Sequence, residues 1–254
     1  MKIAVAGKGG IGKSTICAGL TLWLAEQGRR PYAVDADPNS TLGYALGWPA
    51  DLLATMRPLS DMRDLLAKRA TGGADSAAIF ALSPPVSDLI ADYTLERDGI
   101  RLLAMGTVTE GGAGCMCPEN ATLKTILREL VDEDTDIVVD MVAGLEHLGR
   151  GTAQAMHGLV IVTDSTTPSL RSVGRIRSLA DDLHLQPTLV VANRVRAESE
   201  MDRIAAAVAP LPVVGAISYH EGIQAEGVFS GSTAQAFRQE IAVLAGALDA
   251  VLGV

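Results

Sequence analysis

Short apolar, β-branched runs recur along the chain, each closed by glycine, proline, aspartate or asparagine, with stretches of helical periodicity between them. Strands are expected at about 2–6, 31–35, 101–105, 136–141, 158–163, 187–193 and 212–217. Helices are expected at about 13–27, 40–47, 119–132, 145–157, 169–184, 199–208 and 233–252. Strands without a polar side, alternating with helices, predict an α/β fold: a mostly parallel, twisted sheet of about seven to eight strands with helices on both faces. Residues 48–100 break this rhythm and read as an insertion of helices and loops to which no chemistry is assigned. No internal repeat divides the chain, so residues 1–254 are taken as one domain.

Composition narrows the class. A hydrophobic fraction of 48% with few aromatics suits a compact α/β enzyme. The apolar run in "MKIAVAGKGG" gives way to glycine too soon for a secretory signal or a membrane span, so a cytoplasmic protein is expected. A net charge of −9 argues against a nucleic-acid partner, and "AFRQEIAVLAGALDAVLGV" lacks the basic face of a membrane-surface helix. Three cysteines cannot close a disulfide framework, which turns attention to metal or redox chemistry.

The sharpest motif is "GKGGIGKST". Gly7, Gly12, Lys13 and Ser14 satisfy the P-loop pattern, an apolar strand precedes them, and the run "STICAGLTLWLAEQG" follows with the look of an amphipathic helix. The backbone N–H groups of Gly7, Gly9, Gly10, Ile11, Gly12, Lys13, Ser14 and Thr15 would converge on the phosphates of ATP, with Lys13 on the β- and γ-phosphates and Ser14 on Mg²⁺. Lys8, by composition alone, is a solvated charge. Asp35 and Asp37 fall at the end of the strand 31–35, on the ligand-binding side of an open sheet. Asp140 ends an apolar run in the Walker B manner, placing a carboxylate near Mg²⁺. Asn193 and Arg194 close "LVVANRV", where an amide can read the edge of a purine or simply form a turn.

Lys8 with Lys13, Asp37-Pro38 and "DMVAG" together resemble the deviant Walker A ATPases, the P-loop NTPase group that includes MinD, ParA and the nitrogenase iron protein. The resemblance spans nearly the whole chain. It implies a homodimer in which Lys8 reaches the partner's nucleotide, Asp37 orients or activates the attacking water, and the loops after Asp37 and Asp140 act as switches. Within that group "VDADPNSTLG", "GGAGCMCPEN" and "AGLEHLGRG" are most similar to the CooC family of nickel-insertion ATPases. That similarity implies that Cys115 and Cys117 bind nickel or zinc, and that the client enzyme is carbon monoxide dehydrogenase.

The cysteine pair has its own physical reading. "PENATLKTILRELV" places Leu123, Ile126, Leu127, Leu130 and Val131 at helical spacing behind Pro118, so Cys117 is expected beside a helix N-terminus, which favours the thiolate. Two sulfurs leave a tetrahedral ion incomplete. Waters can fill the gap, or two pairs facing across a dimer axis can supply four thiolates. Cys17, inside the expected P-loop helix, reads as core, and His147 as a switch-loop residue. Two alternatives stay open: an iron–sulfur cluster carrier or iron-protein-like reductase, and a positioning ATPase of the MinD or ParA type.

Overall fold

The structure, a computed structural model, describes residues 1–37, 39–61, 87–106, 126–130, 134–142, 145, 148, 150–226 and 231–254. Its strands are β1 (Lys2–Gly7), β2 (Tyr32–Asp35), β3 (Leu95–Arg97), β4 (Ile100–Ala104), β5 (Ile137–Asp140), β6 (Gly158–Thr163), β7 (Thr188–Val195) and β8 (Val213–Ser218). They form one sheet in the order β3-β4-β2-β5-β1-β6-β7-β8, parallel throughout except for the antiparallel pair β3 and β4. The α/β sheet expected from the sequence is therefore present.

Side chains alternate across the sheet and both faces are buried, which explains strands without a polar side. In β1, Ile3 and Val5 face the cluster that contains Ile16, Leu20, Phe237 and Leu248. Ala4 and Ala6 face the opposite cluster, with Val139, Val173, Ile176 and Ile204. The helices over these faces are α1 (Lys13–Glu26), α2 (Leu42–Ala45), α3 (Ala50–Leu53), α4 (Ser87–Tyr93), α5 (Arg150–Ala155), α6 (Thr167–Leu183), α7 (Glu198–Val208), α8 (Glu221–Glu226) and α9 (Gly231–Leu252). Among the described residues no helix is long and apolar enough to cross a membrane.

Several expectations change. The run after the P-loop looked amphipathic, yet α1 is buried nearly all round, from Lys13 through Leu24. It lies between the sheet and α9, and a side chain at Gly19 would press on Ile241 and Phe237 at 2.8–3.0 Å. A helix enclosed on both sides has no polar stripe to keep. The helices expected at 40–47 and 145–157 shorten to α2 and α5. Of the helix expected at 119–132, residues 126–130 are described and helical, with Ile126, Leu127 and Leu130 buried.

β3 was not anticipated. Asp98 and Gly99 both take positive φ, 53° and 79°, the requirement of a two-residue type I′ hairpin turn. "RDGI" thus carried a hairpin signal inside the stretch read as an insertion. α3 and α4 are helices of that stretch, as expected, whereas α8 was not anticipated.

Candidate nucleotide site

The chain leaves β1 at the centre of the sheet, between β5 on one side and β6 on the other, and this reversal of strand order opens a crevice at the carboxyl ends of the strands. The P-loop fills it. Gly7, Gly10 and Gly12 have φ of 153°, 74° and 98°, all positive. A Cβ at Gly7 would strike the Val162 carbonyl, and one at Gly12 the Asn193 amide, so both positions need glycine twice over, for conformation and for space. No side chain caps the start of α1 among the described residues, and its first-turn N–H groups face the loop that the glycines shape.

Lys13 is buried at 8% exposure, its ammonium 3.5 Å from the Lys8 carbonyl. The Lys8 side chain is exposed at the mouth, as are Gly9 and Gly10, while Ile11 is buried beneath them. Ser14 and Thr15 are half-buried on the first turn of α1. The Ser14 hydroxyl lies 2.9 Å from the hydroxyl of Thr41, just before α2, a contact that sequence spacing did not suggest.

Two carboxylates stand beside the loop. Asp35 and Asp140 occupy matched register positions on β2 and β5, and Val5 pairs with Asp140 from the other side. Asp35 is committed to its own backbone: it accepts the N–H of Asp37 at 3.1 Å and of Leu42 at 2.8 Å, tying the 36–41 loop to the sheet. Burial, and then the charge of Asp140, push its carboxyl up to about 7. Asp37 is half-buried and accepts the Asn39 N–H at 2.9 Å. It sits two residues past the end of β2.

Asp140 differs. Both of its carboxylate oxygens are buried, and neither has a hydrogen-bond partner among the described residues. Burial pushes the carboxyl up to about 6, with the nearby Ser14 hydroxyl and Lys13 ammonium pulling the other way. A buried, unpartnered carboxylate beside a serine hydroxyl is an all-oxygen donor set that fits Mg²⁺. Cys17 also lies near; burial, and then the Asp140 charge, push its thiol well up, so it stays protonated in the core and is no thiolate ligand.

The raised carboxyl has a measurable consequence. A carboxyl whose folded pKa exceeds its unfolded value stabilises the fold below the unfolded value, and that contribution is lost as pH rises through the folded one. For Asp140 the window runs from about 4 to about 6, and the change from 3.8 to about 6 corresponds to about 3 kcal/mol. Asp140→Asn, which keeps the shape without the charge, is therefore expected to gain in melting temperature over the wild type as the nucleotide-free protein is taken from pH 4 to pH 7. Calorimetry at several pH values checks this, and a parallel dependence in the two proteins would contradict it.

On the far side of the P-loop the site continues as an open cleft reaching from Gly12 and Thr15 to Asn193, Tyr219, His220 and Phe237. Asn193, 6% exposed, donates its amide N–H to the Ile11 carbonyl at 2.7 Å, so its nitrogen is engaged and only the amide oxygen remains for a ligand. Arg194 follows with φ of 59° and lines the same cleft. Tyr219 is held by the Arg196 guanidinium, 3.9 Å above its ring. Sequence reading did not single out Tyr219, His220 or Glu240; the polar cluster "SYHE" closing an apolar strand was the available signal.

The structure thus brings Lys13, Ser14, Asp37, Asp140, Asn193 and Arg194 to one edge of the sheet. Cys115, Cys117 and His147 lie outside the described residues. Among the described residues no group of three or more His, Cys, Asp or Glu is placed to hold a metal ion.

A P-loop at the topological switch of a parallel sheet, with a buried carboxylate on the adjacent strand, defines a P-loop nucleotide-binding protein. The model of the CobQ/CobB/MinD/ParA nucleotide binding domain matches residues 2–228, and the chain belongs to that family. It is 38% identical over 226 residues to the carbon monoxide dehydrogenase accessory protein CooC of Rhodospirillum rubrum, covering 89% of this chain and 86% of that one. It is 37% identical over 228 residues to an uncharacterized ATP-binding protein of Methanocaldococcus jannaschii, covering 88% and 87%. A ParA family ATPase from Chlorobium tepidum shares the fold at 18% identity, with a TM-score of 0.69 over 97% of both chains.

Proposed function

We propose that this chain is an ATP-hydrolysing metallochaperone that dimerises, carries nickel or zinc on Cys115 and Cys117, and supplies nickel to carbon monoxide dehydrogenase. The observation that carries the proposal is the Cys115-Met116-Cys117 sequence in a chain with a complete P-loop site and 38% identity to a carbon monoxide dehydrogenase accessory protein. The family membership supports the ATPase part of it.

In this reading the P-loop N–H groups and Lys13 bind the triphosphate, while Ser14 and Asp140 hold Mg²⁺. Bound there, Mg²⁺ neutralises charge that develops on the β- and γ-oxygens. Asp37, whose N–H is held by Asp35, orients the attacking water. Lys8, exposed at the mouth, reaches the nucleotide of a second subunit. The metal ion is cargo, and the site for it is shared across the dimer axis, so that ATP-driven approach of the subunits changes the spacing of the thiolates.

Coupling of this kind requires that the ion bind one nucleotide state more tightly than the other. Nickel or zinc affinity, measured by equilibrium titration with ADP and with a non-hydrolysable ATP analogue, is expected to differ by about five- to 150-fold, the usual span of coupling energies. Equal affinities would remove the coupling and leave an uncoupled ATPase.

A further inference from the structure

The charges on α6 run opposite to those its dipole favours. Acidic residues in the first turn and basic ones in the last stabilise a helix, and α6 has neither. Arg171 and Arg175 stand in its N-terminal half, while Asp181 and Asp182 close its C-terminal end. Four residues apart, the two arginines put like charges on one face, away from Val173, Ile176 and Ala180, which are buried in the core. A third guanidinium joins them: Arg203 of α7 donates to the Thr167 hydroxyl at 3.0 Å, at the first turn of α6. All three arginines are exposed, and Arg171 and Arg175 have no ion-pair partner among the described residues. Asp181 is taken by Arg177 at 3.8 Å and by Gln186 at 2.8 Å. Gly174 weakens the same helix: it is exposed, and a Cβ there would meet nothing within 4 Å, so no packing in the described chain requires a glycine.

Positions that break the rules of helix stability without a gain inside the chain mark a surface kept for something outside it. We infer that the face of α6 bearing Arg171 and Arg175, with Arg203 beside it, is the docking surface for an acidic face of the client enzyme. Guanidinium groups pair with carboxylates through two parallel hydrogen bonds, and arginine is among the residues enriched in protein interfaces. The row runs from Thr167 to Leu179, about 18 Å along a helix, which is far longer than a single phosphate group. It ends on a leucine that is 40% exposed. An apolar contact closing a row of arginines suits a folded protein and not a phosphate chain. A net charge of −9 repels an acidic partner on average, so a local gathering of arginines decides which face that partner meets. The inference rests on the reading of this chain as an accessory protein with a client, and it says where the client docks.

The test uses the full chain and nickel-free carbon monoxide dehydrogenase, with association rates measured by interferometry at about 50 and about 200 mM salt. The wild type is expected to associate about tenfold faster at the lower salt, as electrostatic steering provides. Arg171→Glu/Arg175→Glu should slow association by about tenfold or more at the lower salt and lose most of the salt dependence. Its ATP turnover should stay within about twofold of wild type, and it should melt no lower, because the reversal removes a like-charge pair from the N-terminal half of α6. Arg171→Lys/Arg175→Lys keeps the steering charge and should associate within about threefold of wild type. If the charge-reversed protein associates at the wild-type rate, the inference falls and the client reading stands. If the wild type associates with the enzyme at neither salt, the client reading fails, and the inference with it. If duplex DNA binds the wild type and not the charge-reversed protein, the row reads phosphates and the inference falls.

Discussion

Lys13→Ala is expected to lower ATP turnover by about 10³-fold or more while the protein melts no lower than the wild type. Two effects combine. The first is direct: removing one positioned donor from a phosphoryl-transfer site costs about 10² to 10³ in rate, and the P-loop lysine is also a full charge on the β- and γ-phosphates. The second runs through Asp140, whose carboxyl the Lys13 ammonium draws downward. Without that ammonium the carboxyl holds its proton to higher pH and presents a poorer ligand to Mg²⁺. Stability is spared because Lys13, 8% exposed, is a buried cation whose desolvation already costs the fold. Steady-state turnover and calorimetry on one preparation separate the two readouts. Turnover within about tenfold of wild type would show that Lys13 does not touch the reacting phosphates.

The double substitution Cys115→Ala/Cys117→Ala is expected to weaken nickel and zinc binding by more than about a hundredfold, because the remaining ligands are water and hard oxygen donors. ATP affinity should stay within about twofold, since the P-loop lies on other segments of the chain. Metal analysis of the wild type adds a stoichiometry. One ion per two chains indicates four thiolates shared across the dimer axis, and one ion per chain indicates waters completing each pair. Binding that survives the double substitution would move the metal site elsewhere.

What the sequence disclosed follows how far apart the cooperating residues lie. The P-loop is legible because its glycines, lysine and serine are consecutive and their geometry is local: Gly12 needs a left-handed backbone wherever it occurs. Asp140 is legible because an apolar strand ends on it, although its lack of a hydrogen-bond partner is visible only once β1 and β2 flank it. The Asn193–Ile11 bond joins residues 182 positions apart, and no spacing rule reaches that distance. Asp35 looked like an equal of Asp37, but its two backbone bonds make it a tether for the loop that carries Asp37. α1 misled for a related reason: whether a helix needs a polar face depends on what covers it, and α9, which does so here, lies more than two hundred residues later in the chain.

The family match ends at residue 228, three residues before α9 begins. Yet α9 supplies Phe237 and Ile241, which close on Gly19 of α1, and Glu240, which holds both Ser218 and His220. One face of this helix therefore bears on the segment that presents the phosphate loop, while another side chain fixes the far wall of the cleft. The last helix of the chain therefore ties the element that follows the phosphate loop to the wall formed after β8, although the shared family pattern stops before it.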